Sequence, residues 1–262
     1  MEDLPRIGIV GGNGWIGGAL ARALVAAGLP EARLTLSCRS APPDWLPGAT
    51  WTHDNQALAD ASDVIVLSVR PQDWGAIAVT APGKLVVSVM AGIPLADIAR
   101  VTGSDRVVRA LPNAAADVGH SYTPWTASPG VTDADRGTVS WIFGTCGSGD
   151  EVPREADIDY MTGASGTGPA YPALLAAALI ADAVAHGVPE AVARRAAVGI
   201  LIGTGRLLEK TGEDPRDTVA AFVDYRGVTA AAIEAMRAAG FDAAVAAGLA
   251  AALEKSEALR PA

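Results

Sequence analysis

Between residues 6 and 110 the chain repeats one pattern, a short and nearly continuous run of Val, Ile and Leu followed by a stretch with helical spacing. The apolar runs are residues 6–10, 33–38, 64–69, 85–90 and 106–110. Helices are predicted between them over residues 15–27, closed by Gly28, and over 56–61, 73–78 and 95–101. A strand that is apolar at every position needs cover on both faces. Parallel strands joined by crossover helices supply it, so the expected fold class is α/β with a mostly parallel sheet.

From about residue 157 the pattern is helical only, over residues 170–186, 189–210, a shorter piece started by Asp214-Pro215, 230–239, and 242 to about 259. The first two are apolar nearly all round, as in Leu174, Leu175, Leu179 and Ile180, and in Ile200, Leu201 and Ile202. Helices without a polar face are buried on every side, which in a small helical domain suggests cover by a second subunit. The expected domains are 1–156 and 157–262, the second all-helical. Residues 161–181 carry no charge, but Gly, Ser, Thr and Pro interrupt their first half, and the segment reads as a buried helix rather than a membrane span.

The net charge of −9, without a dense Lys/Arg run, argues against nucleic acid and anionic membranes as partners and favours small-molecule chemistry. Cys38 and Cys146 suggest neither a disulfide framework nor a Cys-based metal site. Glu2 and Asp3, followed by glycine from Gly8, do not resemble an export signal, and a cytoplasmic protein is expected. His53, His120 and His186 are scattered, so no metal is expected. Gly163-Ala164-Ser165-Gly166-Thr167 falls one residue short of GxSxG and follows no strand, so it is no nucleophile elbow.

Gly12-Asn13-Gly14-Trp15-Ile16-Gly17 follows the first strand and opens the first helix. In that context Gly12 permits a tight turn, Gly14 lets a pyrophosphate approach the backbone, and Gly17 lets helix pack on strand, which points to a Rossmann dinucleotide site. An NAD-preferring site usually ends its second strand with an acid, whereas this strand ends Ser37-Cys38-Arg39-Ser40. Arg39, helped by Ser37 or Ser40, can face a 2′-phosphate, so NADPH is favoured over NADH. The alternative is a surface arginine beside an NAD site. Farther on, Ser165, Gly166, Thr167 and Gly168 precede a helix expected to begin near Pro169, whose unpaired N–H groups would face a small anion over that tract.

Several segments together resemble the pyrroline-5-carboxylate reductase family over nearly the whole chain. They are Asp54-Asn55, Ala61-Ser62-Asp63-Val64-Ile65-Val66-Leu67-Ser68-Val69-Arg70-Pro71-Gln72, Met90-Ala91-Gly92-Ile93-Pro94-Leu95, Arg106-Val107-Val108-Arg109-Ala110-Leu111-Pro112-Asn113, and the tract from Ser165 to Tyr171. The resemblance implies a Rossmann domain joined to a helical dimerisation domain, a homodimer or higher homo-oligomer with the active site at the dimer interface, and NAD(P)H-dependent reduction of a cyclic imine. It implies that Asn55 binds the adenosine ribose or its phosphate, and that Val69, Arg70 and Pro71 line the cofactor cleft. Ala91, Gly92 and Asn113 would sit by the nicotinamide, and residues 165–168 would face the substrate. A helix cap for Asn55 and a turn role for Asn113 are the structural alternatives.

The chain departs from that family in two places. Where the family has Ser-Pro-Gly-Gly-Thr-Thr after Asp-x-Val, this chain follows Asp217-Thr218-Val219 with Ala220-Ala221-Phe222-Val223-Asp224-Tyr225-Arg226-Gly227-Val228-Thr229. Ala177 stands where the family's helix usually carries an acid. Thr229 is the leading donor to an imine nitrogen and also the expected N-cap of helix 230–239. Arg226 can grip a carboxylate and Tyr225 can donate a proton; the alternative is a solvated charge and a packed aromatic. The expected activity is NADPH-dependent reduction of pyrroline-5-carboxylate to proline, or of a related imine. The rivals are an NADP-dependent hydroxyacid dehydrogenase, which lacks an obvious Lys or His base, and a catalytically silent NADPH-binding paralogue.

Overall fold

Strand β1 (Ile7–Val10) is buried at every residue and lies between two parallel partners, β2 (Leu34–Ser37) and β4 (Val64–Leu67). The computed structural model describes residues 4–260; Glu2 and Asp3, read above for an export signal, lie outside that range. Beyond β2 the sheet continues into β3 (Thr50–Thr52), and beyond β4 into β5 (Leu85–Ser88) and β6 (Val107–Ala110). β7 (Ser121–Tyr122) pairs with β9 (Gly147–Ser148) in a small separate ladder, while β8 (Trp125–Ala127) closes the main sheet antiparallel to β6. The seven-stranded order β3-β2-β1-β4-β5-β6-β8 reverses direction between β1 and β4, as in a Rossmann sheet.

The pleat divides each strand between two cores. Ile7 and Ile9 of β1 and Val64 and Val66 of β4 face α1 (Trp15–Ala26), through Leu20 and Leu24, and the later helix α4 (Asp133–Gly144), through Ile142 and Phe143. Val10, Ile65 and Leu67 face the opposite side, against Leu58 of α2 (Asn55–Ala61) and Ile98 of α3 (Leu95–Thr102). Each side chain pointing to the other face of its neighbour is the period-two rule, and burial on both faces is what the unbroken Val/Ile/Leu runs require. All five expected strands are present. The helix expected at 73–78 is a 3₁₀ segment over Pro71–Ala76, and β3, β8 and α4 were not expected.

Two arginines fasten the sheet. At its N-terminal edge the Arg6 guanidinium grips Asp63 at 2.6 and 3.1 Å and the Arg6 N–H donates to the same carboxylate at 2.9 Å. These bonds pull the Asp63 carboxyl from the ordinary 3.8 down to about 2. Inside, Arg109 of β6 is 2% exposed and donates to Glu155 at 2.6 Å and Asp159 at 3.1 Å, both on α5 (Glu155–Met161). Asp159 also accepts from Arg260 at 2.7 Å, and Glu155 accepts the Leu95 N–H at 2.7 Å at the start of α3.

The chain divides into two compact units, one running to Thr167 and regaining residues from Ala251 onward, the other Gly168–Ala250. The second unit holds α6 (Ala170–Ala185), α7 (Glu190–Thr211), α8 (Pro215–Asp224), α9 (Val228–Ala238) and the first part of α10 (Phe241–Glu257). α6 and α7 pack on each other across a turn at Gly187, and Asp214 caps α8 by accepting the Arg216 N–H. Within one chain α6 is largely uncovered: Ala176 is its one buried residue, and Leu174 is 72% exposed. Its apolar surface exceeds what α7 alone can cover. The helical run Glu155–Ala185 is long and apolar enough to cross a membrane by length and composition.

Removing one partner of a buried ion pair strands the other, so Arg109→Met should lower unfolding stability by about 3–5 kcal/mol in denaturant titrations. A carboxylate whose pKa is depressed on folding adds stability above its unfolded value and loses it as pH falls through the folded one. Asp63→Asn should therefore be less stable than the parent at neutral pH, with the two thermal midpoints converging between about pH 4 and pH 2.

Candidate functional site

A cleft of about 750 Å3 opens at the C-terminal ends of β1, β2 and β4, where the strand order reverses. This is where doubly wound sheets take their ligands. The chain leaves β1 through Gly11, whose φ of +84° and position 2.2 Å (for an added Cβ) from the Ser68 carbonyl oxygen admit only glycine. Gly11 supplies the left-handed backbone, and the Gly14 N–H donates to the Gly11 carbonyl at 2.9 Å to close a tight turn with Gly12 at its centre, where Gly12 also packs against Leu36 of β2. Gly17 lies where a Cβ would be 2.5 Å from the Gly11 carbonyl oxygen, so α1 sits hard against the turn, as expected. Asn13, Gly14 and Trp15 line the cleft, whereas Gly12, Ile16 and Gly17 do not.

Gly14 caps α1 without a side chain to accept from its first turn, and that turn holds no acid. The N–H groups of the first turn have no partner within the helix, and the positive end of the dipole is uncompensated, which suits a pyrophosphate. The Trp15 indole donates to Asp117 at 2.6 Å, and Asp117 also pairs with Arg22 at 2.6 Å, which ties the helix start to the loop after β6.

Ser37, Cys38, Arg39, Ser40, His53 and Asn55 form the β2 end of the cleft. Asn55 is the first helical residue of α2, and its cap is Asp54, which accepts from the N–H groups of Gln56 and Ala57. The capping alternative for Asn55 is therefore removed. Its amide oxygen accepts from the Ser37 hydroxyl at 2.7 Å, which holds it at the cleft wall. Arg39 and Arg70 both reach Asp73, at 3.3 and 2.9 Å. The bond from Arg70, with the added charge of Arg39, holds the Asp73 carboxyl below its usual range. The sequence reading missed Asp73 and His53; Asp73 had a signal in its i, i+3 spacing from Arg70.

Val69 and Arg70 line the same cleft, whereas Pro71, Ala91, Gly92 and Asn113 do not. Asn113 is a cap and more: its side chain accepts the Ala115 N–H at 2.9 Å and donates to the Ser165 carbonyl at 3.0 Å. Gly92 has φ +75°, and an added Cβ would lie 2.6 Å from Leu259 Cβ, so the chain's last described turn packs directly on this loop.

The tract from Ser165 begins inside a helical turn. Residues Thr162–Gly166 form a π turn that follows α5, with the Thr167 N–H donating to the Thr162 carbonyl five residues back. The Ser165 hydroxyl donates to the Met161 carbonyl at 3.2 Å and that of Thr167 to Gly163 at 2.6 Å. Both hydroxyl protons are thus turned toward the carbonyl four residues back rather than toward an anion, the usual back-bond of Ser and Thr in a helix. Ser165, Gly166 and Thr167 belong to the first compact unit and Gly168 to the second.

In the second unit, α9 begins two residues earlier than expected. Gly227 is its N-cap, and Thr229 is the second helical residue, so the capping role expected for Thr229 is corrected. Arg226 has φ +52°, alone among the described non-glycine residues in the left-handed region, and turns the chain between α8 and α9. Tyr225 is 87% exposed within one chain.

Comparison with known proteins gives the lineage. A pyrroline-5-carboxylate reductase of Synechocystis sp. is 31% identical over 97% of this chain and 98% of its own length. The chain belongs to the pyrroline-5-carboxylate reductase family. Residues 155–259 match the family described as pyrroline-5-carboxylate reductase dimerisation, and residues 6–92 match NADP oxidoreductase, coenzyme F420-dependent. The Plasmodium falciparum pyrroline carboxylate reductase, solved with NADP bound, is 25% identical with a TM-score of 0.86 over 98% of both chains. A Coxiella burnetii pyrroline-5-carboxylate reductase, 24% identical, shares the fold with a TM-score of 0.89 over 99% of this chain and all of its own.

Gly92→Ala would place its new methyl group against Leu259 at a strained φ. The variant should be destabilised by about 1–3 kcal/mol and should expose its C-terminal residues to carboxypeptidase faster than the parent.

Proposed function

We propose that this chain reduces pyrroline-5-carboxylate to proline with NADPH. The observation that carries it is the uncapped, acid-free N-terminus of α1 at the sheet's switch point, facing a cleft that also holds Arg39 and Arg70. Family membership over nearly the whole chain supports the imine as substrate. We assign residues 1–156 to cofactor binding and 157–262 to substrate binding and dimerisation, since the dimerisation match begins at residue 155.

When bound, the dinucleotide supplies a hydride from its nicotinamide ring. The residues of this chain bind and orient it. The first-turn N–H groups beside Asn13, Gly14 and Trp15 take the pyrophosphate, and the Ser37–Asn55 pair takes the adenosine ribose. Arg39, Ser40 and Arg70 take the 2′-phosphate, Arg39 as a planar fork on the phosphate oxygens. Val69 shapes the cleft wall toward the nicotinamide, and Pro71, Ala91 and Gly92, which lie outside the cleft lining, are assigned to the nicotinamide end on family membership alone, with Asn113 holding the Ser165 carbonyl. On the substrate side Ser165, Gly166, Thr167 and Gly168 form one wall through their backbone. Thr229 donates to the imine nitrogen as charge moves onto it, while Arg226 and Tyr225 are the side chains available to a carboxylate and for proton transfer.

The working species is a homodimer or a higher homo-oligomer. The apolar residues exposed on α6 and α7, among them Leu174 and Ile202, the latter 61% exposed, are the surface it covers. Two free thiols, Cys38 and Cys146, the second pushed up to about 11 by burial, fit a reducing compartment, the cytoplasm.

Oxidation of NADPH should follow addition of pyrroline-5-carboxylate and exceed the rate with six-membered or non-carboxylated cyclic imines. NADPH binding without turnover of any imine would favour the silent paralogue, and oxidation of a hydroxyacid would favour the dehydrogenase. Thr229→Ala should lower kcat at least tenfold, roughly, while leaving NADPH binding intact. Leu174→Glu with Ile202→Glu should shift the native mass in solution toward the monomer.

A further inference from the structure

We propose that Asp73 sets how strongly the cleft discriminates a 2′-phosphate from a 2′-hydroxyl, by competing with the phosphate for the same two arginines. The inference rests on the cofactor assignment above and goes beyond it. Rossmann sites that prefer the unphosphorylated ribose place an acid at the end of the second strand, and here that strand ends without one. An acid is nonetheless present in the cleft. It arrives from the opposite wall, on the 3₁₀ segment Pro71–Ala76 that follows β4.

Asp73 Oδ2 lies 3.3 Å from an Arg39 nitrogen and 2.9 Å from Arg70 Nε, and Oδ1 lies 3.4 Å from a second Arg70 nitrogen. Arg39, Arg70 and Asp73 all line the cleft. The side chain of Asp73 is 23% exposed, against 80% for Arg39 and 63% for Arg70. The two cations that a 2′-phosphate would use are therefore already joined to a carboxylate, and the group as a whole carries one positive charge instead of two. A phosphate approaching Arg39 meets that carboxylate within contact distance of the same guanidinium. A ribose hydroxyl meets an acceptor.

Asp73 has two opposed effects on phosphate binding. It holds the arginines in place, which favours binding, and it puts a negative charge beside them, which opposes it. The first effect is small, because exposed ion pairs are worth little: Arg39 is held by a single contact at 3.3 Å, and Arg70, held by two, is itself 63% exposed. The second acts on a doubly charged group at short range and persists in dilute salt. Repulsion therefore exceeds preorganisation, and Asp73 moderates the preference for the phosphorylated cofactor.

The test is calorimetric binding of adenosine 2′,5′-bisphosphate and adenosine 5′-monophosphate to the full chain, with no turnover required. Asp73→Asn, which keeps the size of the side chain, should bind the bisphosphate about fivefold more tightly at low salt, with the gain shrinking as salt is added. The monophosphate should bind equally or more weakly. The gain should fall sharply in the Arg39→Ala, Asp73→Asn double variant. Unchanged or weaker bisphosphate binding by Asp73→Asn would overturn the inference and assign Asp73 to holding the arginines. A parent protein that binds neither nucleotide would overturn the cofactor assignment itself, and this inference with it.

Discussion

A guanidinium buried to 2% exposure between two carboxylates orders much of the first unit. Arg109 leaves the sheet from β6, beside the edge strand β8, and meets Glu155 and Asp159, one turn apart on α5. Removing these charges from water costs several kcal/mol per ion, and that cost is offset only if each finds close partners. The partners are therefore recruited from distant parts of the chain. Glu155 also accepts the first N–H of α3, which Pro94 leaves uncapped, and Asp159 accepts from Arg260. With α5 held in this way, the π turn that follows it presents the Ser165 carbonyl to the amide of Asn113, beyond the end of β6. The sheet thereby positions the turn through α5 and Asn113.

The cofactor end is organised by close approach rather than by charge burial. Gly11 and Gly17 let β1, α1 and the end of β4 meet at distances that a methyl group would forbid. Several polar groups that line the open cleft are mutually paired: Ser37 with Asn55, His53 with the Cys38 carbonyl, Asp73 with two arginines. A cleft whose polar groups are already joined must exchange partners when it binds. The affinity it offers is the difference between two sets of bonds.

The five central strands were legible because burial on both faces leaves an unbroken apolar run, a signal that three-residue edge strands lack. β3, with its Thr-Trp-Thr, and the antiparallel β8 are of that second kind. α4 carried a readable start in Thr132 and Asp135, which form a capping box, but its apolar stripe is thin. The Gly-rich loop was legible as a unit, yet the residue with the left-handed backbone is Gly11, one place before the motif's first glycine. Tertiary placement was not legible. Nothing local distinguishes Arg109, buried among carboxylates 46 and 50 residues away, from an exposed arginine in a strand. The π turn was hidden for a similar reason: Gly, Ser and Thr between two helices read as a loop, and only the i−5 bond from Thr167 shows that the helix widens instead of ending.

The first unit is not continuous in the chain. Its sheet, cleft and glycine turn lie within the first 167 residues, but Ser256 and Leu259, which cover Gly92, and Arg260, which completes the charge around Asp159, come after the whole second unit. On the ribosome, the loop at residues 90–94 must therefore wait for the helical unit to be made before its outer face is closed. Until then Asp159 has one partner fewer and Gly92 has a bare flank. A chain halted between the two units would carry a nearly whole cofactor cleft beside an unfinished loop, so completion of this fold is timed by the synthesis of its last turn.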